Sequence, residues 1–136
     1  MKPRPRYFEN WKEYNINPKG KRTGDCAIRA VAAATGLGWD AAYKGLSDAG
    51  FVCKTAMNDI EAIEYFLVNV LGWKVGIVKV PKGSKRPQVH EFAANNPNIA
   101  AVLRVAHHIT CCAMGRYVDI WDCGDCAVYK YWYKEL

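Results

Sequence analysis

The amino-acid sequence predicts an α+β fold, with N-terminal helices packed on a C-terminal antiparallel β-sheet. Two observations carry this prediction. Up to residue 72 the apolar residues recur at helical spacing, and from Trp73 onward they alternate in short runs rich in Val, Ile, Tyr and Trp. At 136 residues with 51% apolar side chains, the chain is long enough for one core, and we expect a single domain over residues 1–136.

Three helices are predicted in the first half of the chain. Asp25 is a suitable N-cap and Gly36 a suitable terminator for a first helix near residues 25–35. The segment "WDAAYKGLSDAG" fits a second helix over residues 39–50, because its large apolar side chains fall on one side. The segment "NDIEAIEYFLVNVLG" fits a third over residues 58–72 for the same reason.

The second half is predicted to be mainly strands. The first is "WKVGIVKV", and it is followed by the loop "PKGSKRPQ" and a short helical turn in "VHEFAANNP". Four further strands lie in "NIAAVLRV", "HHITCCAM", "RYVDIWD" and "AVYKYWYKEL", separated by turn residues such as Gly115 and Gly124. Sequential short strands of this kind favour an antiparallel meander.

Charge and targeting signals limit the classes of protein. The net charge of +6 is concentrated in "KPRPR", "PKGKR" and "PKGSKR", and residues 1–14 are interpreted as a flexible basic arm. Nucleic acid is a candidate partner for such clusters, but no aromatic-interleaved stripe accompanies them, so solvated loops are favoured. No apolar run has the length of a signal peptide or membrane span, so we expect a cytoplasmic protein without a membrane partner.

The six cysteines are interpreted as free thiols, metal ligands or catalytic groups rather than as disulfides. In a reducing compartment, six cysteines are more often free thiols, metal ligands or catalytic groups. The stretch "TGDCAIRAVAAATG" places Cys26 at the first turn of the first helix. There the unpaired backbone amides, together with a nearby imidazolium, lower the pKa of a thiol. Cys26 is therefore the candidate nucleophile, and its alternative is a packed core cysteine.

A general base and its orienting group are expected from two neighbouring strands. His107 and His108 lie in "HHITCCAM", and the next strand, "RYVDIWD", offers Asp119 and Asp122. If the hairpin turns about Gly115, His108 lies opposite Asp122 on one face of the sheet. We predict that pair, and a slip of one residue in the register would undo it.

The three motifs in order resemble the papain-like cysteine peptidase superfamily. "GDCAIRA" at a helix start, "HHIT" on a strand and "DIWD" on the neighbouring strand look most like small bacterial and phage proteins that are similar to bacteriocin-processing cysteine peptidases. The resemblance spans roughly residues 15–133. It implies a papain-like fold, a catalytic triad of Cys26, His108 and Asp122, a peptide or protein substrate, and no cofactor.

One part of the family pattern is missing. Papain-like enzymes usually carry a glutamine a few residues before the nucleophile to stabilise the oxyanion, and "KGKRTGD" contains none. The backbone N–H of Cys26 is one candidate donor. Asn17 is our candidate for the second donor, and its alternative is a turn residue that precedes Pro18.

A non-enzymatic protein is the competing hypothesis. "CGDC" gives Cys123 and Cys126 the spacing of a zinc-binding pair, but Cys111 and Cys112 are adjacent on a strand, so only one of those two thiols could join the site. We expect no metal, and we predict hydrolysis of a peptide or isopeptide bond, with deamidation and transglutamination open to the same apparatus. The alternative is a basic binding module, with or without zinc, for nucleic acid or an acidic protein.

Overall fold

The computed structural model describes residues 7–136 and arranges them as helices packed on a β-sheet. The elements are, in chain order, β1 (Trp11–Glu13), α1 (Cys26–Thr35), α2 (Trp39–Cys53), α3 (Ile60–Glu64), β2 (Lys74–Ile77), α4 (Val89–Asn95), β3 (Ile99–Val105), β4 (His108–Ala113), β5 (Arg116–Asp119) and β6 (Lys130–Glu135). Directly after α3, the segment Tyr65–Val70 forms a π-helical continuation. The predicted mixture of helices and strands is confirmed.

The sheet has six strands in the order β1-β5-β4-β3-β6-β2. Strands β2 to β6 pair antiparallel, as predicted, whereas β1 runs parallel to β5 at one edge. The predicted meander holds only for β3, β4 and β5, because β6 returns to lie between β3 and β2. The sequence assigned β1 to a flexible arm over residues 1–14. Residues 1–6 of that arm lie outside the described residues, but residues 11–13 belong to the sheet. A strand of three residues is too short to carry an alternating pattern.

Both faces of the sheet are covered. One face packs against α1, α2 and the α3 region, and its core includes Val31, Leu46, Ile63, Leu67 and Trp132. The other face packs against α4 and the loop after β5, and its core includes Val89, Phe92, Leu103, Tyr117 and Val128. The adjacent thiols of Cys111 and Cys112 enter different cores, as the alternation of a strand requires.

The helix that carries Cys26 lies against β4. Its alanine-rich sequence favours a helix and keeps its inner face flat enough for close contact with the strand. Gly36 ends α1 in the left-handed conformation, with φ of 74°, which costs glycine little. This contact brings the N-terminus of α1 to the start of β4. Within residues 7–136, no helix has both the length and the apolar character that crossing a bilayer requires.

Two tight hairpins fix the register of β4. Ala106 and His107 connect β3 to β4, with His107 exposed at φ of 56°. Met114 and Gly115 connect β4 to β5, both with positive φ, at 52° and 83°. A two-residue turn of this type sets a register in which Cys112 pairs with Tyr117. The predicted register, centred on Gly115, was wrong by one residue.

Candidate active site

Cys26 is the first residue of α1 and is partly exposed. Burial raises the pKa of its thiol. Hydrogen bonds from His108 and from the backbone N–H of Ile109, together with the positive charges of His108 and Arg29, outweigh that effect and lower the pKa below its usual value. The helix start leaves the backbone N–H of Cys26 without an acceptor inside the helix. Cys26 therefore combines access, a stabilised thiolate and a nearby free amide.

His108 is the first residue of β4 and joins Cys26 to Asp119. Its Nε2 donates to Asp119 Oδ2 at 2.6 Å, so Nδ1 is the ring nitrogen left for Cys26. Burial lowers the pKa of His108, but hydrogen bonds to Asp119, Cys123 and Cys26 raise it to about 11. A cationic imidazole beside a thiol of lowered pKa favours a thiolate–imidazolium pair.

Asp122, the predicted orienting carboxylate, lies away from the His108 contact. Its Oδ2 accepts from the backbone N–H of Phe8 at 3.0 Å, and its Oδ1 accepts from that of Gly124 at 3.0 Å. The hydroxyl of Tyr117 donates to the same carboxylate. Asp122 thus ties the N-terminal segment to the loop after β5, and the prediction that it faces His108 was wrong.

Asp119 takes the predicted place because of the β4–β5 register. Extending the observed pairs by one position sets Asp119 opposite Thr110, on the side of β4 that also carries His108. Asp119 is 5% exposed, and its Oδ1 accepts from the backbone N–H of Ile120 at 2.7 Å. Burial raises the pKa of Asp119, but the hydrogen bond and charge of His108, with help from Thr110 and Ile120, lower it. The carboxylate is therefore ionised.

A buried arginine connects this carboxylate to the start of α1. Arg29 Nη2 lies 3.6 Å from Asp119 Oδ1, and Nη1 forms an ion pair with Asp25. The other oxygen of Asp25 accepts from Trp39 Nε1 at 2.9 Å and from Asn17 Nδ2 at 3.0 Å. Burial raises the pKa of Asp25, and these hydrogen bonds and the Arg29 charge lower it. A continuous polar network runs from Trp39 to His108.

Asn17 is buried at 8% exposure but is held by other partners. Its Nδ2 donates to Asp25, and its Oδ1 accepts from the backbone N–H of Lys19 at 2.9 Å. The amide therefore supports the loop that leads into α1. Its role as an oxyanion donor stays a prediction.

Three residues near the site were not assigned to it from the sequence, although Cys123 was considered as a zinc ligand. Arg29 is the only charged residue in "CAIRAVAAAT", and that isolation was a usable signal. The ring centroid of Trp121 lies 5.0 Å from that of His108, where the indole shields one side of the imidazole. Cys123 Sγ lies 3.6 Å from Asp119 Oδ2. Nothing in the sequence around Trp121 or Cys123 indicates that these residues lie close to His108 and Asp119.

The same corner offers a set of metal ligands. Within residues 7–136, His108, Asp119 and Cys123 have ligand atoms that all lie within 4.8 Å of one another. Imidazole, carboxylate and thiolate are donors that zinc accepts. Among the described residues no such group contains both cysteines of "CGDC", and the trio shares only Cys123 and His108 with the zinc site considered from the sequence. A metal at the trio would compete with the His108–Asp119 hydrogen bond.

The other five cysteines differ chemically from Cys26. Burial raises the pKa of Cys111 and of Cys112, the latter to about 12. Burial also raises the pKa of Cys123 and Cys126, and partial desolvation with nearby carboxylates raises that of Cys53. Cys26 is thus the one cysteine whose surroundings favour the thiolate, and all six lie in the described part of the chain.

Comparisons with known proteins identified no relative of this chain. No family model matches the chain, and no match was found among curated proteins or solved structures.

Proposed function

We propose that the protein is a cysteine-dependent acyl-transfer enzyme of the papain-like kind, with Cys26 attacking a peptide or isopeptide carbonyl. The observation that carries the proposal is the placement of His108, which lowers the pKa of the Cys26 thiol on one side and contacts Asp119 Oδ2 at 2.6 Å on the other. A nucleophile, a base within hydrogen-bond reach and a group that orients the base are the parts that side-chain acyl transfer needs. A cysteine at a helix start facing a histidine on a strand also supports a papain-like fold.

The first half-reaction forms a thioester. The Cys26 thiolate adds to the carbonyl carbon, and the backbone N–H of Cys26 donates to the developing oxyanion. When the intermediate collapses, the C–N bond breaks and His108 Nδ1–H gives its proton to the departing amine. Asp119 keeps the imidazole oriented and stabilises its cationic form before that transfer.

The second half-reaction releases the acyl group. His108 Nδ1, now neutral, takes a proton from water while the hydroxyl adds to the thioester carbon. The thiolate of Cys26 leaves, the carboxylic acid departs, and His108 is again protonated. An amine in the place of water gives transamidation through the same steps, and hydrolysis is the default where water has access.

The proposal is tested with 4-nitrophenyl acetate, which acylates an activated thiol without needing a specific peptide. We expect a burst of one nitrophenolate per chain and an acetyl thioester on Cys26 in peptide mass mapping. Cys26→Ala should abolish the burst, and Cys53→Ala, which removes another partly exposed thiol, should leave it intact. His108→Ala should slow acylation by about 10²-fold or more. A burst that persists in Cys26→Ala would overturn the proposal.

A further inference from the structure

An open cleft of about 610 Å³ lies against the loop that leads into α1. Its lining includes Gly24 and Asp25, the two residues before Cys26. The cavity between Cys26, Arg29 and Asp119 is by contrast only about 10 Å³, which is the space of about one water molecule. A substrate side chain next to the attacked carbonyl therefore fits the cleft and not the inner cavity.

The cleft has fixed walls. Trp39 and Tyr43 of α2 form one side, with their rings stacked at a centroid distance of 5.2 Å. Trp39 Nε1 donates to Asp25, and Asn17 donates to the same carboxylate, so the aromatic side and the floor belong to one hydrogen-bonded unit. Asn17 and Asp25 are 8% and 4% exposed. A substrate would meet a preformed surface at this position.

The rim of the cleft is positively charged. Lys19 and Lys21 line it, Arg22 follows directly, and all three are exposed. Within the described part of the chain, none of the three forms a salt bridge. The charge of Asp25 is matched by Arg29, so Asp40 is the carboxylate that opposes them. Among the exposed residues that line the cleft, Lys19 and Lys21 against Asp40 leave a net charge of +1.

We propose that this cleft binds an acidic side chain of a peptide substrate, next to the carbonyl that Cys26 attacks. The inference rests on the proposed acyl-transfer function and names its substrate class. The lysines attract the carboxylate, and the Trp39–Tyr43 wall covers the apolar part of the peptide beside it. Because these charges are exposed, the attraction weakens as the salt concentration rises.

The experiment uses three peptidyl acyloxymethyl ketones that differ only in the residue next to the ketone, which is Glu, Gln or Lys. Labelling of Cys26 is followed by intact mass at low salt. The Glu probe should react about three- to tenfold faster than the Gln probe, and the Lys probe should be slowest, as two exposed ion pairs allow. Lys19→Glu combined with Lys21→Glu should reverse that order. The matched control is Lys82→Glu with Lys85→Glu, two exposed lysines on the loop after edge strand β2 that do not line the cleft, and it should keep the order.

A second measurement tests peptide binding in the cleft separately from acylation of Cys26. The Glu peptide without the ketone is titrated into Cys26→Ala, and binding should be lost in the Lys19/Lys21 double variant but not in the Lys82/Lys85 control. If all probes label Cys26 at equal rates and the peptide does not bind, the cleft proposal is overturned while the nucleophile stands. If the peptide binds through the two lysines but no probe or ester acylates Cys26, the acyl-transfer function is overturned and the acidic-ligand site stands.

Discussion

The Nε2 atom of His108 lies 2.6 Å from Oδ2 of Asp119, at the point where β4 begins and β5 ends. Asp122 lies only three residues further along the chain, yet its carboxylate binds the backbone of Phe8 and Gly124 instead. Asp119 at the end of β5 and Asp122 in the loop after it therefore hold different parts of the molecule. Substituting each aspartate in turn therefore distinguishes an effect on the acylation of Cys26 from an effect on the stability of the fold.

Asp119→Asn should slow acylation of Cys26 by 4-nitrophenyl acetate by about 10²-fold or more, because an amide neither stabilises the imidazolium nor holds its orientation in the same way. Asp122→Asn should leave that rate within about threefold and instead lower the midpoint of thermal unfolding, because it weakens the hydrogen bonds from Phe8 in the N-terminal segment and from Tyr117 in β5. Burst kinetics and calorimetry on both variants check the pair. The opposite pattern would return the orienting role to Asp122.

Near pH 6.5, a limiting amount of iodoacetamide should modify Cys26 before the other five cysteines. Ordinary thiols, with a pKa of about 8.5, are mostly protonated there, whereas the pKa of Cys26 is lowered by His108. Iodoacetamide can also reach Cys53 and Cys126, because both thiols are partly exposed, but their pKa values are raised. Cys123, the other cysteine of "CGDC", is buried.

The pH dependence of the Cys26 alkylation rate supplies the control. The rate should rise through a pKa below that of a free thiol, and in His108→Ala this step should move upward toward the ordinary value. Peptide mapping with mass spectrometry at several pH values gives the rate for each cysteine. Cys26 reacting no faster than Cys53 and Cys126 between about pH 5.5 and 7.5 would exclude it as an activated nucleophile.

The helix and strand positions could be predicted because they depend on local periodicity. The sequence predicted a helix near residues 25–35 and a strand in "HHITCCAM", and α1 begins at Cys26 and β4 at His108, close to those positions. These two positions also brought the thiol and the imidazole together, although the contact itself depends on how α1 packs on β4.

What could not be predicted depends on geometry outside the local pattern. The register between β4 and β5 is set by a two-residue turn in which Met114 has positive φ, and methionine rarely signals that conformation. The contact of Arg29 with Asp119 joins a helix to a strand end far along the chain. A one-residue error in the turn was therefore enough to select Asp122 instead of Asp119.

Arg29→Met should destabilise the protein strongly at neutral pH and progressively less in acid. Arg29 pairs with two buried carboxylates, Asp25 and Asp119, and removing one partner of a buried pair typically costs about 3–5 kcal/mol. The pKa of each carboxylate is lowered in the folded protein, so the stabilisation is present above the unfolded pKa of about 3.9 and is lost as the pH falls through the folded pKa. In the variant, Asp25 loses its cation and protonates at higher pH, which relieves part of the defect, whereas Asp119 keeps its contact with His108.

Urea unfolding of wild type and Arg29→Met, from about pH 7 down to pH 3, measures this difference directly. Arg29→Lys is the matched control, since it keeps the charge but cannot bridge both carboxylates with a planar fork, and it should lose less stability at pH 7. Arg29 also contributes to the low pKa of Cys26, so the alkylation step should move upward in Arg29→Met and less in Arg29→Lys. If Arg29→Met does not fold, the Lys variant alone carries the test through the alkylation profile. A loss of stability that is the same at every pH, with an unchanged alkylation profile, would mean that Arg29 acts through shape and not through its charge.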